Sequence, residues 1–517
     1  MTAPESERRT MTPAGPPAES PARDRLGPTL FERSRPGRGG GKVPHPPKDA
    51  LARIPAGLLR TEGPRLPEVS EPELTRHYVN LSQLNYSVDG GFYPLGSCTM
   101  KYNPKIDEWA ARLPGFAALH PLAPDDLAQG TLQLLWELEA ALAEIGGMKA
   151  VTLQPAAGAQ GELTGILMVR AYHRSRGDTD RCEVLVPDSA HGTNPATASM
   201  AGFRTVSIPS AADGGVDVEA FRSALGPRTA AVMITNPSTL GLFEARLCEL
   251  LHAIHEAGAL AYMDGANLNA IMGRFKPGEA GFDVMHFNTH KTFSTPHGGG
   301  GPGAGPVGVG EKLVPFLPSP RVIREPNGRF RLETVGERPS CIGRVRAFTG
   351  NVGVLVRAYA YIRAHGAAGL CEVSDDAVLA ANYMKSRLTG VLDVPFSRPC
   401  MHEFVASSAT LKDETGIRTL DVAKRLIDYG FHPPTIYFPL TVEEALLIEP
   451  TETESLETLD AFVAALKSIV AEAHSDPELL RAAPHYSPVR RLDETTAARQ
   501  PNLRWRAMTG SQTPCPD

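Results

Sequence analysis

Four positions in this chain carry residue types, at spacings, that could build a covalent-cofactor site. Lys291 stands in Phe287-Asn288-Thr289-His290-Lys291-Thr292-Phe293-Ser294, directly after the apolar segment Phe282-Asp283-Val284-Met285-His286-Phe287, which reads as a strand feeding a loop. A lysine that is desolvated binds its proton less tightly, so its amine becomes nucleophilic and can form a Schiff base. Asp264 closes another apolar run, Leu260-Ala261-Tyr262-Met263, 27 residues before the lysine. A carboxylate facing a pyridine nitrogen keeps that nitrogen protonated and makes the ring an electron sink. His191 follows Val184-Leu185-Val186-Pro187-Asp188-Ser189-Ala190, where an imidazole can lie flat on an aromatic cofactor. Gly158-Ala159-Gln160-Gly161 opens a helical pattern, so its free N–H groups and the helix dipole suit a phosphate. Each feature alone also has a plain structural reading: a lysine beside a glycine hinge, an Asp-Gly turn, a loop histidine, a glycine-bearing strand–helix turn.

Further polar residues share the pattern. Asn236 follows the apolar run Ala231-Val232-Met233-Ile234-Thr235 and could donate to a phenolate oxygen, while His290 and His297 flank the lysine. The run Gly298-Gly299-Gly300-Gly301-Pro302 leaves backbone, not side chains, to line its surroundings. Neither glycine stretch ends in Gly-Lys-Ser/Thr, which disfavours a nucleoside triphosphate. Phosphate cup, stacking imidazole, ring-nitrogen carboxylate and Schiff-base lysine, in that order, describe pyridoxal phosphate binding. Their joint occurrence is far less probable by chance than any one of them.

The elements that must hold these residues are short apolar strands alternating with amphipathic helices. Strands are expected at Val151-Thr152-Leu153, Val184–Pro187, Thr205–Ile208, Ala231–Thr235 and Leu260–Met263; helices carry Leu135, Leu138, Leu142 and Ile145, then Leu163, Leu167 and Met168, then Leu247, Leu250, Leu251 and Ile254. This alternation predicts a mostly parallel α/β sheet covered on both faces, with every candidate residue where a strand gives way to a loop, the place where such sheets bind ligands. Residues 1–48 read as a leader too poor in apolar side chains to fold, 49–120 as an arm, 121–345 as the large domain, 346–485 as a smaller α+β domain and 486–517 as a tail. Within the arm, the segment from Phe92 to Pro104 is too irregular for a helix or strand and too apolar for a solvated loop, so it either packs the arm down or lines a substrate.

Composition bounds the rest. The chain has 517 residues and a net charge of −6, with no basic stripe, so nucleic acid is not expected as a partner. It has no apolar run of membrane-spanning length, and its first residues, with Glu5, Glu7, Glu19 and Asp24, resemble neither a signal peptide nor a transit peptide. Seven scattered cysteines (98, 182, 248, 341, 371, 400 and 515) without a CxxC pair favour reduced thiols over a disulfide framework or a zinc site. A soluble cytoplasmic enzyme without a metal is the expectation.

Several long stretches resemble one family. Tyr93 to Pro104, Pro155 to Gly165, Asp188 to Gly202, Asp264 to Gly273, His290 to Gly308, Met401 to Val405, Gly430 to Pro439 and Glu449-Pro450-Thr451-Glu452-Thr453-Glu454 are similar to glycine decarboxylase, the pyridoxal-phosphate protein of the glycine cleavage system. The match is to the cofactor-bearing subunit of the two-subunit form. The resemblance implies the seven-stranded, mostly parallel sheet of the aspartate-aminotransferase kind (fold type I), a small C-terminal domain and an extended N-terminal arm. It also implies Lys291 as the Schiff-base lysine, His191 as the stacking residue and Asp264 as the pyridinium partner. Ala157, Gly158, Ala159 and Gln160 would hold the phosphate, and Asn236 and His290 would touch the cofactor. The implied activity is that of an aminomethyl-transferring oxidoreductase of glycine catabolism. The implied partners are a homologous cofactor-less subunit 1, two copies of each subunit, and the lipoylated H protein, whose arm would arrive over the glycine run. The leader is expected to be dispensable. Alternatives are an aminotransferase, a cysteine desulfurase using Cys341, Cys371 or Cys400, or a catalytically silent subunit. Arg344 and Arg346 are candidates for the substrate carboxylate, and the role of Cys98 stays open.

Overall fold

The computed structural model describes residues 27–39, 47, 49–297 and 303–503. The leader expectation falls largely, and the glycine run 298–302 wholly, outside the described residues. The chain divides into two compact units. One gathers the residues up to Ser87 with Ile427–Tyr429 and the residues from Ala482 onward. Its helix α1 (Glu71–Ser82) begins with a capping box between Ser70 and Glu73. The Asp428 carboxylate there accepts the N–H groups of His485 at 2.6 Å and Tyr486 at 3.1 Å.

The other unit, Val88–Leu426 with Gly430–Arg481, holds every candidate residue. Its seven-stranded sheet comprises β1 (Ala150–Thr152), β2 (Glu183–Pro187), β3 (Arg204–Ile208), β4 (Thr229–Thr235), β5 (Leu260–Asp264), β6 (Val284–His286) and β7 (Val307–Val309). They lie in the order β1-β7-β6-β5-β4-β2-β3. All neighbours pair in parallel except β7, which runs antiparallel to both β1 and β6. The strands are wholly buried at β2, β4 and β5 because successive side chains feed opposite cores. Leu185, Val232, Ile234, Ala261 and Met263 join one cluster, while Val184, Val186, Ala231, Met233, Leu260 and Tyr262 join the other. The sheet is thus covered on both faces, as the alternation in the sequence predicts. β7 went unread because three residues after a Gly/Pro-rich run carry no period.

Around the sheet lie α2 (Lys105–Arg112), α3 (Gln129–Gly146), α4 (Gly158–Ser175), α5 (Thr193–Met200), α6 (Leu247–Glu256), α7 (Val352–Leu388) and α8 (Leu456–Ser475). α3 stops at Gly147, whose φ of 64° is left-handed. α7 is one long helix interrupted at Gly366 (φ 62°, ψ −177°). A hairpin, β8 (Val322–Arg324) and β9 (Phe330–Leu332), precedes α7. A three-stranded antiparallel sheet, β10 (Phe404–Ser407), β12 (Ala445–Ile448) and β11 (Thr435–Ile436), makes up the C-terminal layer. Among the described residues, no helix is long and apolar enough to cross a membrane.

One buried charge stands out on α2. Asp107 is 2 % exposed and neither carboxylate oxygen has a hydrogen-bond partner among the described residues. Burial, helped by Glu108, pushes its carboxyl up to about 7, against the pull of Arg357; Arg357 itself is bidentate to Glu108 at 2.6 and 3.0 Å. A carboxyl raised above its unfolded value of about 4 keeps its proton in the fold while the unfolded chain has lost it, so stability falls as pH rises through that window. Asp107→Asn removes the ionisation. The variant is expected to melt higher than the parent near pH 8, with the gap closing toward pH 4, by thermal denaturation across that range.

Candidate active site

The carboxyl ends of four neighbouring strands and the start of α4 supply the site, the ligand-binding edge of an open α/β sheet. His191 follows β2, Asn236 follows β4, Asp264 is the last residue of β5 and Lys291 lies on the helical turn Thr289–Thr292 after β6. Apolar strands stop at these points because the next side chain is polar and needs a partner that the core cannot offer.

Asp264 is buried, and its partners explain why it stays ionised. Its Oδ1 accepts the N–H of Ala266 at 2.9 Å and lies 3.4 Å from His286 Nε2; its Oδ2 accepts Asn194 Nδ2 at 2.9 Å. Burial alone would raise the carboxyl, but His286, Asn194 and the Ala266 N–H outweigh it and hold Asp264 below the ordinary carboxylate value. His286 is in turn fixed by the Tyr262 hydroxyl at 2.8 Å from its Nδ1. A negative charge held on this site is what a protonated pyridine nitrogen requires.

His191 is exposed as a residue, and its imidazole is lowered from the ordinary histidine value first by partial burial and then by the Lys291 ammonium, with Asp264 pulling the other way. The ring is neutral near pH 7, the state suited to lying against another ring.

At α4 the N-cap Ala157 is extended (φ −159°, ψ 165°) and offers no side-chain cap. Gly161 is the first residue paired back, to Ala157 O at 2.9 Å, so the N–H groups of Gly158, Ala159 and Gln160 are left for a ligand by helix geometry. The Gln160 side chain is spent inside the loop: it accepts the Ala156 N–H at 2.7 Å and donates to Val345 O at 2.7 Å. Only its backbone is left to meet a phosphate. Glycine is needed at 158, where a Cβ would stand 2.2 Å from Asn288 Oδ1.

Lys291 Nζ donates to the carbonyl of Ser97 at 2.8 Å. This contact brings the Phe92–Pro104 segment beside Lys291. Leu95 bridges Ile448 and the Gly96 N–H reaches Leu447 O at 3.2 Å, so the segment packs on β12. Beyond it, Ser97 (φ 64°) and Thr99 (φ 48°) adopt left-handed backbone that few side chains tolerate. Two buried carboxylates hold them there. Glu403 accepts the Ser97 N–H at 2.6 Å, and Glu449 accepts the N–H of Cys98 at 3.2 Å and of Thr99 at 2.8 Å, together with the Thr99 hydroxyl. Burial and the neighbouring Glu449 push Glu403 well above its ordinary value, so Glu403 holds the proton that lets the pair coexist. Next along, Lys101 is buried among Glu452 (2.6 Å), Asn269 (2.7 Å), Tyr361 (3.2 Å) and the carbonyl of Thr292 (3.0 Å). Burial favours its neutral form, but Glu452 and Tyr361 keep it charged. Lys101→Met strands Glu452 in the interior and is expected to cost about 3–5 kcal/mol, seen as a lowered denaturation midpoint.

His290 and His297 sit with ring centroids 5.2 Å apart. Burial, with His297 and Lys291 adding to it, pushes His290 down to about 3, and burial with Lys291 pushes His297 down to about 4. Both are neutral neighbours of the lysine. Arg344 and Arg346 are exposed: Arg344 donates to Phe348 O at 3.4 Å and Arg346 to Asn351 Oδ1 at 3.1 Å, and Asn351 in turn donates to the carbonyl of Ala156 at 3.2 Å and to that of Gly303.

The residues present fit pyridoxal phosphate. Buried polar atoms without a hydrogen-bond partner among the described residues collect here: Asn236 Nδ2, Asn267 Oδ1, Asn288 Oδ1, His290 Nδ1 and His297 Nε2. Orphaned buried polar atoms are costly unless a ligand satisfies them. The amine of Lys291, the carboxylate of Asp264, the Asn236 amide and the leading N–H groups of α4 match the aldehyde, ring nitrogen, phenolate and phosphate of that cofactor. Sequence reasoning missed Glu162, Asn194, His286, Lys101, Glu403 and Glu449. The available signal was a charged or amide side chain on an otherwise apolar face or beside an apolar strand.

Comparison with known proteins places the chain in a family. Residues 373–485 match the family described as glycine dehydrogenase, C-terminal domain, and residues 167–310 match aminotransferase class-V. A probable glycine dehydrogenase (decarboxylating) subunit 2 of Halalkalibacterium halodurans is 57 % identical over 485 residues, 93 % of this chain and 98 % of that one. Its counterpart in Thermotoga maritima is 56 % identical over 478 residues, 92 % of this chain and 100 % of that one. Among solved structures, an inhibitor-bound glycine decarboxylase (P-protein) superposes with a TM-score of 0.68 at 24 % identity over 81 % of this chain and 94 % of that one. A cysteine desulfurase from Thermococcus onnurineus superposes at 0.57 and 16 % identity over 74 % and 95 %. These superpositions establish the fold, an α/β architecture shared with those enzymes. Identity near 57 % across almost the whole length establishes more: the chain belongs to the family of glycine dehydrogenase (decarboxylating) subunit 2 proteins.

Proposed function

We propose that this chain is the cofactor-bearing subunit of an enzyme that decarboxylates glycine with pyridoxal phosphate, releases CO2 and passes the aminomethyl group to the lipoyl arm of the H protein. The observation that carries this is the convergence of Lys291, ionised Asp264, His191 and the open start of α4 in a member of the subunit 2 family. When bound, pyridoxal phosphate supplies a protonated ring that accepts the electron pair left when the carboxylate departs. Lys291 is the attachment point, and its amine is held by a carbonyl and not by a carboxylate, so it can leave and return without breaking an ion pair. Asp264 keeps the ring nitrogen protonated. Asn236 Oδ1 accepts the Glu244 N–H at 3.0 Å, and its Nδ2, without a hydrogen-bond partner among the described residues, would donate to the phenolate. His290 and His297, both neutral, offer hydrogen bonds near the lysine without adding charge. Arg346, tied through Asn351 to the loop at Ala156, is our candidate for the substrate carboxylate.

A desulfurase would need a mobile, readily ionised thiol. Cys400 is buried and pushed up to about 11, first by that burial, and Cys98 beside Lys291 is likewise pushed up to about 11 by burial. Neither supports that reading. Residues 121–345 are proposed as the cofactor-binding domain and 346–485 as the small domain, with residues 1–48 as leader, 49–120 as arm and 486–517 as tail. A cytoplasmic setting is proposed from the seven scattered cysteines without a CxxC pair.

The proposed partners are a homologous cofactor-less subunit 1, in a two-plus-two assembly, and the H protein. On α2, Ile106 and Trp109 are 53 % and 59 % exposed, and Trp109 borders a groove of about 510 Å³ that reaches Pro296, close to Lys291 in the chain. Large exposed aromatics of this kind anchor interfaces. Trp109→Asp is expected to weaken subunit association by about tenfold or more, measured by sedimentation of the mixed subunits. The function itself is tested by exchange of labelled CO2 into the carboxyl group of glycine by the assembled subunits with lipoylated H protein. Exchange that depends on all three proteins is the expected result, and none at all would overturn the proposal.

A further inference from the structure

Behind Asp264 lies a buried carboxylate to which the chemistry above gives no role. Glu162, early in α4, is 4 % exposed. Its Oε2 accepts Asn194 Nδ2 at 2.8 Å, and the same nitrogen donates to Asp264 Oδ2 at 2.9 Å, so one amide bridges two carboxylates. Its Oε1 accepts the Thr193 hydroxyl at 2.8 Å. Thr193 then reaches His191: its backbone N–H donates to His191 Nδ1 at 3.3 Å, with the hydroxyl 3.1 Å from the same nitrogen. A ring nitrogen that accepts a backbone N–H carries no proton, so the proton of neutral His191 is on Nε2. The residue expected under the ring nitrogen and the residue expected on the ring face are therefore the two ends of one chain: Asp264, Asn194, Glu162, Thr193, His191.

We propose that Glu162 is a positioning residue that links Asp264 and His191 through this hydrogen-bond chain, fixing the direction of the carboxylate and the tautomer of the imidazole for the cofactor between them. The proposal rests on the pyridoxal phosphate reading of the site. A purely structural role explains the position poorly. The same face of α4 buries Gly161, Gly165, Ile166 and Val169, where an apolar side chain would avoid the desolvation of a carboxylate. Burial and the charge of Asp264 push Glu162 up to about 7, with Asn194, Thr193 and Lys291 pulling it down, so its proton is exchangeable under working conditions. His286, held by the Tyr262 hydroxyl, lies within 4.8 Å of both Glu162 and Asp264, and with Lys291 these are the titratable groups that face the pair.

Two substitutions separate the halves of the chain. Glu162→Gln keeps an acceptor for Thr193 but turns an amide donor toward Asn194, breaking the Asp264 side. Thr193→Val keeps the backbone N–H to His191 but removes the hydroxyl link to Glu162. Each is made in the full chain, assembled with its partner subunit, checked for native far-ultraviolet circular dichroism and titrated with pyridoxal phosphate. Readouts are the dissociation constant, the visible circular dichroism of the bound cofactor and the pH titration of its absorbance. Glu162→Gln is expected to weaken retention by about tenfold or more, the effect of losing a hydrogen bond to a charged group, and to shift the pH titration. Thr193→Val is expected to leave that titration as in the parent and to reduce the visible circular dichroism. Folded variants that match the parent in all three readouts would overturn the linkage alone. A parent whose visible band does not depend on Lys291 would overturn the cofactor reading and the linkage with it.

Discussion

Lys291→Ala is expected to lower glycine-dependent CO2 exchange by roughly a thousandfold or more and to abolish the visible absorbance of the bound cofactor. The expectation follows from position. Lys291 lies directly after β6, between Asp264 on the neighbouring strand and the Ser97–Thr99 segment, and its amine contacts a single carbonyl. No other described lysine can take over, since Lys101, the nearby buried one, is committed to Glu452 and to the carbonyl of Thr292. The loss should be in kcat, because the lysine sets up the reacting centre. The variant should still fold, because the side chain is half-buried and makes no ion pair among the described residues. Exchange kinetics with absorbance spectra of the purified complex test it.

The second large effect is at Asp264. Asp264→Asn preserves shape and removes the charge, and is expected to lower the exchange rate by roughly a hundredfold, the scale of losing one preorganised electrostatic contact. The buried network makes the loss specific. His286, Asn194 and the Ala266 N–H are all oriented toward a negative oxygen, and an amide presents a donor to at least one of them. The signs for pH are also fixed. Asp264 is held below its ordinary value, so the stabilisation from its ionised form is present above an unfolded pKa of about 4 and is lost as pH falls through the lower folded value. The parent should therefore lose stability on acidification through that window, and Asp264→Asn should lose less. Denaturation midpoints of both proteins between about pH 3 and pH 7 measure this.

How much of this was legible beforehand depended on sequence distance. β2, β4 and β5 are apolar runs whose alternation is local, and the candidate residues His191, Asn236 and Asp264 stand at or just after their ends, so strands and candidate residues could be read together. Ser97 and Glu403 are 306 residues apart, Thr99 and Glu449 350, and Asn194 and Asp264 70. No local period encodes such pairings, which is why the carboxylates that fix the Ser97–Thr99 segment and the Glu162 bridge emerged only from the fold. Gln160 shows the reverse: its place at the start of α4 was legible, but the engagement of its side chain with Ala156 and Val345 was not. β7 escaped because its three residues are set by pairing with β1 and β6 and by no pattern of their own.

The most direct measurement is reduction of the purified chain with borohydride, followed by mass mapping of its peptides, with and without the partner subunit. The expected result is a pyridoxyl group on one peptide only, at Lys291. A pyridoxyl group on another lysine, or none in the assembled protein, would contradict the assignment of this site.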